Sequence, residues 1–454
     1  MKNYYPFIIL CLFALFSCQN EDDGLVPIEI ETQADTVSVF QNSEVDIFIF
    51  SNDTNIPING SLIIGNPNKG TATIIDGNST PNNPSDDYVK FTVNPNETGL
   101  DSFEYTVCDS SNNCKTETVS IEITSNSVVA FNLDSMPYQT LSEYNLFEGE
   151  LKNQEPTFGV VPYVLNSKLF TDYAKKKRFI WLPNNTKASY ADDNSILDFP
   201  VGAIIVKNFY YDDVLPNLET KIIETRIMIK KQSGWIFAEY VWNEAQTEAT
   251  LDNNGSFVNL EWIQNGETLS TNYRVPSEAE CLTCHKISEV PKLIGPKPRN
   301  LNLVYTYEDG SSNQLDKLVE IGYLENNLPG TIPVTPDYTD ESIDLELRVR
   351  GYLDINCAHC HADDTHCDYR PMRMAFQDTS NLTNIGVCVD PDTDLGEDLG
   401  HIVEPGDSRN SVLHFRINST EESNRMPLLG RTIVHAEGVA LIEEWIDSLT
   451  DNCN

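Results

Sequence analysis

Residues 355–367 read INCAHCHADDTHC. Cys357 and Cys360 stand two residues apart, His361 follows directly, and His366 and Cys367 come close behind. A C-x-x-C pair serves three chemistries: a structural zinc site, a dithiol redox centre, or covalent haem attachment. Only the last calls for a histidine immediately after the second cysteine.

Upstream, ECLTCHK repeats the pattern with Cys281, Cys284 and His285, in a chain holding only 11 cysteines and 7 histidines. Haem uses every position of both copies. Two thiols at this spacing reach two vinyl groups as thioethers, and the next histidine is then held under the iron. A zinc site would need four ligands and has no use for the flanking histidines, and the two pairs lie much further apart than in a zinc ribbon. A dithiol motif wants a βαβ context that this region lacks. The sequence therefore implies two covalently bound haem c groups, attached at Cys281, Cys284, Cys357 and Cys360, with His285 and His361 as proximal ligands.

Further on, RMPLLG offers Met426 in a loop before the last helical stretch, the expected distal ligand of the second haem; a methionine there raises the potential. Between His285 and Cys357 there is neither His nor Met. The sixth ligand of the first haem stays open among His359, His366, Met372, Met374, His401, His414, His435, Met228, a Lys or Tyr, or none at all.

The N-terminus points to export. After one lysine, an apolar run from Pro6 to Phe16 has the proportions of a secretory signal and is too short to span a bilayer. The LFSC that closes it resembles a bacterial lipobox, which implies a signal peptide over 1–17, a lipidated Cys18 and a linker over 18–26. The acidic QNEDD that follows resembles the surface-export signal of Bacteroidota lipoproteins. The expectation is an outer-membrane lipoprotein, facing the periplasm or the cell surface and held by its lipid.

Outside the cytoplasm free thiols rarely persist. Cys11 leaves with the signal. Cys108 and Cys114 bracket a short turn between two strand-like runs and are expected to form a disulfide. Cys367 is expected to pair with Cys388, which leaves Cys453 without a partner.

The chain carries 30 Lys plus Arg against 69 Asp plus Glu, a formal net charge of −39. That field repels nucleic acid and favours a redox partner with a basic docking face, while part of it simply confers solubility.

Three textures follow one another along the 454 residues. Residues 27–125 alternate apolar and polar positions in short runs such as VDIFIF, YVKFTV and ETVSIEI, separated by Gly, Pro and Asn, which reads as an all-β sandwich. The pattern SNDTNIPING followed by GLDSFEYTVCD resembles a cadherin-like or Ig-like bacterial module. Some relatives bind calcium through such side chains, but Asn52, Asp53, Asp101 and Asp109 are scattered and read as solvated loop ends. Residues 135–275 form a second β-rich domain, whose Trp181, Trp235, Tyr240 and Trp242 read as core. No phosphate-binding loop and no G-x-S-x-G occurs. Residues 276–454 turn to helical pieces: NQLDKLVEIGYLEN and HAEGVALIEEWIDSL carry apolar stripes, and IDLELRVRGYLDI, ambiguous by periodicity, is read as helix because of the motif it leads into. A mainly α cytochrome c-like di-haem domain is the expectation there.

Together EAECLTCHK, RVRGYLDINCAHCHAD, IVEPGDSRNSVLHFRI and RMPLLGRTIVHAEGVALIEEWI, with VVPYVLNSKLFTDYAKKKRFIWLP and ETRIMIKKQSGWIFAEYVWNEAQTEA upstream, resemble an exported family of di-haem c-type cytochromes. The resemblance covers roughly residues 137–450 and leaves the Ig-like module outside. It implies the same four thioether cysteines, His285 and His361 as proximal ligands and Met426 as distal ligand. The function it implies is electron transfer. The alternative is a peroxidase-like haem enzyme with an open position on the first haem.

Overall fold

The computed structural model describes residues 29–450 and 453, apart from positions 42, 96, 394 and 396–398. The signal peptide and the expected lipidation at Cys18 lie outside the described residues. The chain divides into two compact units, Met1–Asn126 and Ser127–Asn454.

In the first unit, β1 (Asp35–Phe40), β7 (Cys114–Thr124), β6 (Gly99–Asp109) and β3 (Gly60–Ile64) form one sheet in that spatial order. A second sheet consists of β2 (Glu44–Ile47), β5 (Tyr88–Val93) and β4 (Gly70–Ile75). Alternation drives the packing. Along β6, Phe103, Tyr105 and Val107 point into the core while Ser102 and Glu104 face solvent. They meet Val89 and Phe91 of β5 and Val119 and Ile121 of β7 in one apolar cluster. This is the β-sandwich expected of residues 27–125.

The second unit is built around one large sheet. After a short ribbon of β8 (Phe147–Glu148) and β9 (Glu155–Pro156), six strands run side by side. They are β10 (Val161–Tyr163), β11 (Lys175–Trp181), β12 (Ile204–Val214), β13 (Glu219–Lys231), β14 (Gly234–Trp242) and β15 (Ala249–Leu251). A hairpin of β16 (Ser256–Gln264) and β17 (Glu267–Val275) joins at β12. Both faces of the sheet are covered, which explains why Ala203, Ile204, Ile205 and Val206 are buried in succession instead of alternating. One face packs Ile204, Val206, Ile227 and Tyr240 against Leu141 and Tyr144. The other packs Ile180, Ile205, Met228 and Phe237 into a core that also holds Leu301, Leu353, Ile442 and Trp445.

That shared core overturns the expectation of a mainly α cytochrome c-like domain over 276–454. The helices there are short pieces: α1 (Glu278–Cys284), α2 (Pro298–Leu301), α3 (Gln314–Glu320), α4 (Leu345–Asn356), α5 (Leu382–Ile385), α6 (Val412–Asn418) and α7 (Ala436–Ser448). Irregular chain and two small ribbons, Lys286–Ile287 with Val290–Pro291 and Val304–Tyr307 with Gly310–Asn313, lie between them. The apolar stripes are real, yet they seat on the sheet as well as on each other, and Gly322 with φ 77° helps turn the chain after α3. The molecule as a whole is β-rich.

Candidate functional site

The second C-x-x-C-H motif grows out of α4. The Asp344 side chain caps this helix by accepting from Leu347 N, and Val349, Tyr352 and Leu353 bury its inner face. The chain then coils on. Cys357 N donates to Leu353 O, and both Cys360 N and His361 N donate to Cys357 O at 3.0 Å. This tight turn sets the two thiols and the imidazole around one apolar cavity. Its wall includes Cys357, Cys360, His361, Met374, Leu413 and Met426.

His361 is 7% exposed and its Nδ1 has no hydrogen-bond partner. Burial above all, reinforced by His359 and nearby arginines, pushes its pKa down to about 4, so the ring stays neutral and available to a metal at ordinary pH.

Met426 reaches the same cavity from the loop after α6, and that loop is pinned at two places. The buried Arg431 guanidinium donates to Met426 O at 2.8 Å and to Ser419 O at 2.8 Å. Asp172, from the edge of the sheet, accepts from Thr432 N at 2.7 Å and Ile433 N at 3.1 Å. His361 and Met426 also share a second hollow with Arg370 and Arg416 at its rim, and Met426 shares a third with His435 and Phe170.

The donor set fits an iron porphyrin: two thiols, a neutral buried imidazole with an orphaned nitrogen, a thioether facing the same space and apolar walls. Seating a planar macrocycle there requires those walls to part.

The first motif lies on α1. A capping box opens this helix, Ser277 accepting from Glu280 N while Glu280 accepts from Ser277 N. Arg274 holds the Glu280 carboxylate. Cys281 is buried and its thiol donates to Glu239 Oε1 on β14 at 3.0 Å. Burial pushes the Glu239 carboxyl up to about 7 and holds the Cys281 thiol far above its usual range. His285 packs against Phe237 at 4.7 Å between ring centroids. Its Nδ1 lies 2.9 Å from Lys292 O, an arrangement that places the proton on Nδ1 and leaves Nε2 as the free lone pair. Burial first, and then the charge of Lys207, keep this ring neutral.

Cys284 points away from Cys281 toward the second motif. It lines the cavity of Cys357 and Cys360, and its sulfur lies 3.7 Å from that of Cys360. Their ligand atoms and one of His359 fall within 4.8 Å of one another. The structure thus brings both motifs to one place, which spacing along the chain did not foretell. His366, His401 and His414 stand apart from this cavity's wall; His401 pairs with Glu404 and His414 with Glu443.

The remaining cysteines differ from expectation in one pair. Cys108 and Cys114 are joined, with S–S 2.03 Å. Cys388, however, is bonded to Cys453 and not to Cys367, which is free, buried and part of the motif cavity. Cys367 sits on the turn beyond Cys360, its N donating to Cys360 O at 3.0 Å, and its side chain faces the motif cavity while Cys388 is taken by Cys453. In the first unit, Asp53 accepts from Tyr105 OH and Gln33 N, Asp101 from Asn68 N and Lys69 N, and Asp109 from Ser111 N and Asn113 N. These acids organise loops.

Residues 26–122 match the family described as "Bacterial Ig domain", and with the sandwich described above this stretch is an Ig-like module. Among solved structures, the chain is similar to protocadherin gamma B7 extracellular cadherin domains 1–4, with 10% identity over 55% of this chain and 75% of that one, TM-score 0.17. Protocadherin gamma B2 extracellular cadherin domains 3–6 follow, with 9% identity over 54% of this chain and 45% of that one, TM-score 0.16. A 2,6-sialyltransferase of Vibrionaceae Photobacterium sp. JT-ISH-224 shows 14% identity over 22% of this chain and 19% of that one, TM-score 0.13. Such scores fall below a shared overall fold, and the module rests on the family match and its own topology. No curated protein matches the chain.

Proposed function

We propose that this chain is an exported di-haem c-type electron carrier, with one macrocycle tethered at Cys357 and Cys360 and the other at Cys281 and Cys284. The observation that carries the reading is the convergence of His361 and Met426 on the apolar cavity lined by Cys357, Cys360 and Cys284. When bound, such a group supplies reversible one-electron chemistry. The chain's own part is positional. Burial keeps His361 neutral, Arg431 holds the Met426 loop by its carbonyl, and Leu413 and Ile417 exclude water. The nearness of Cys284 and Cys360 sets the two tethers side by side, so an electron has a short path between the two groups. In the same reading Cys18 carries the lipid that holds the protein at the outer membrane, and the −39 charge selects a redox partner with a basic face.

A second reading is a zinc site, favoured by the cluster of Cys284, His359 and Cys360. Three donors suit zinc once a fourth joins them.

Expression with cytochrome c maturation machinery separates the two. The expected result is a coloured protein with two macrocycles by pyridine haemochrome and intact mass, falling to one in Cys357→Ala/Cys360→Ala and to one in Cys281→Ala/Cys284→Ala. Colourless matured protein containing zinc overturns the carrier. Carbon monoxide binding by the reduced form would instead mark an open iron, as in a haem enzyme.

A further inference from the structure

Beside the edge strand β10, the larger unit opens a cavity of about 500 Å³ that neither a cysteine nor a histidine lines. This is the size of a site for a small organic ligand. Three pieces of chain enclose it: the loop 157–160, the edge formed by β10 and β11, and the ribbon of Val304–Tyr307 with Gly310–Asn313. All three are tied down. Thr157 N donates to Leu146 O at 3.0 Å, and Gly159 O accepts from Tyr323 OH at 2.6 Å. The Gln314 amide clasps Val164, accepting from its N at 2.8 Å and donating to its O at 3.1 Å. A cavity held in this way is formed before anything enters it.

The buried part of its wall is polar and unsatisfied. Gln154, Tyr163 and Arg178 are 4%, 3% and 4% exposed, and Gln154 Oε1, Tyr163 OH and Arg178 Nε have no hydrogen-bond partner. Native proteins leave few buried polar atoms so, and three of them meet on this one cavity. Gln154 is moreover held there at φ 56°, a left-handed conformation uncommon for a residue with a side chain.

Strand register sets Arg178 apart from the other cations of the sheet. It pairs with Tyr163 at the edge and with Lys207 of β12, which in turn pairs with Arg226 of β13. Further in, Glu224 accepts from Arg226 through two hydrogen bonds of 2.6 and 3.0 Å, and Lys207 Nζ donates to Ile294 O at 3.4 Å. Arg178 instead lines the cavity, and among the described residues no carboxylate forms an ion pair with it. The rim has another character. Phe158 is 58% exposed, and Tyr305 and Tyr307 stand two apart on one strand with ring centroids 4.8 Å apart. Glu155 and Glu308 are exposed beside them, while Asp309 is taken by Lys317 at 2.5 Å.

Floor and rim together describe a ligand. A planar guanidinium next to a phenol hydroxyl calls for a carboxylate, which accepts two parallel hydrogen bonds from arginine. A bare anion does not suit the rest, because the rim acids and a chain charge of −39 repel it. Hydroxyl groups resolve the conflict, since they donate both to rim carboxylates and to Gln154 Oε1. The C–H face of a ring that carries them rests on the exposed aromatic side chains. We infer that this cavity binds a small sugar acid, its carboxylate on Arg178 and Tyr163 and its ring hydroxyls on Gln154, Glu155 and Glu308. The inference goes beyond electron transfer and does not depend on it.

Calorimetric titration of the full-length protein with glucuronate and galacturonate tests it, with glucose, benzoate and glutamate as comparisons at one pH and ionic strength. At least one of the two sugar acids is expected to bind at a single site. Glucose, which lacks the carboxylate, is expected to bind at least about tenfold more weakly. No binding by either sugar acid, or an equal affinity for glucose, overturns the inference. Benzoate or glutamate binding as tightly as the better sugar acid overturns it too, because the hydroxyls are then not read. This series needs no variant, and it stands if a substitution in the sheet prevents folding. Arg178→Gln and Tyr163→Phe, checked for folding by circular dichroism, are each expected to weaken sugar-acid binding about tenfold. Tyr305→Ala, at the rim and outside the sheet, is expected to weaken it as well. Unchanged affinity in all three folded variants places the ligand elsewhere and overturns the site.

Discussion

The two units bury different things. Between its sheets, the Ig-like unit encloses Val89, Phe91, Val119, Ile121 and the rest of an apolar cluster in which Tyr105 alone brings a polar atom. The larger unit encloses an apolar core of similar make and, on the same sheet face, Arg178, Lys207, Glu224 and Glu239. A core of the first kind is complete in its own side chains. One of the second kind holds buried thiols and charged groups among its apolar side chains, and there Arg178 Nε and Glu239 Oε2 have no hydrogen-bond partner.

The disulfides sharpen this contrast, because each unit is closed by its own. Cys388–Cys453 spans 65 residues of the larger unit, whereas Cys108–Cys114 spans 6 residues of the hairpin between β6 and β7. Chain-entropy arguments give about 4 kcal/mol for the longer loop and about 2 kcal/mol for the shorter. Calorimetry of the matured protein should show two transitions. Cys388→Ser/Cys453→Ser is expected to lower one of them and leave the other in place; a shift in both would mean that the units do not unfold separately. Cys108→Ser/Cys114→Ser is expected to lower the other transition by about half as much in free energy. An effect as large as that of the long loop would break the comparison.

How far the sequence discloses each unit follows from the range of the interactions involved. The sandwich is legible because alternation is local: Phe103, Tyr105 and Val107 announce an inward face with no knowledge of the partner strand. The two C-x-x-C-H motifs are legible for the same reason, since Cys357, Cys360 and His361 lie within one turn. What escapes is long-range. Cys388 has Cys367 nearer in sequence, but the fold brings it Cys453. The helical stripes of 276–454 say that a face is buried without saying that a β-sheet buries part of it, and from there came the expectation of a mainly α domain. Arg178 and Arg226 each look like an ordinary basic residue at the start of an apolar run and Lys207 like one within a run, and only strand register makes them a row. Their one sequence signal is Lys207, which with Asn208 interrupts the apolar AIIVKNF in a strand covered on both faces.

The smallest test asks whether the Ig-like unit is as free of uncompensated charge as its core suggests. Asp35, at the start of β1, is half-buried, and its Oδ2 has no hydrogen-bond partner. Burial first, and then the neighbouring Asp53, raise its pKa from 3.8 to about 6. The folded unit therefore holds this proton to higher pH than the unfolded chain does. The stability that this contributes is fully present below about pH 4 and is lost as the pH rises through about 6, the unfolded state binding fewer protons in that window. Asp35→Asn keeps the shape and abolishes the titration. With allowance for solvent screening at a half-buried site, it is expected to stabilise the unit by on the order of 1 kcal/mol at pH 7 and to leave it unchanged at pH 4. Thermal melts of the isolated transition at the two pH values decide the matter. A gain at pH 4 as large as at pH 7 would assign the effect to packing. The sandwich would then hold no charge that it cannot settle internally, unlike the larger unit, where Arg178 Nε and Glu239 Oε2 are buried without partners.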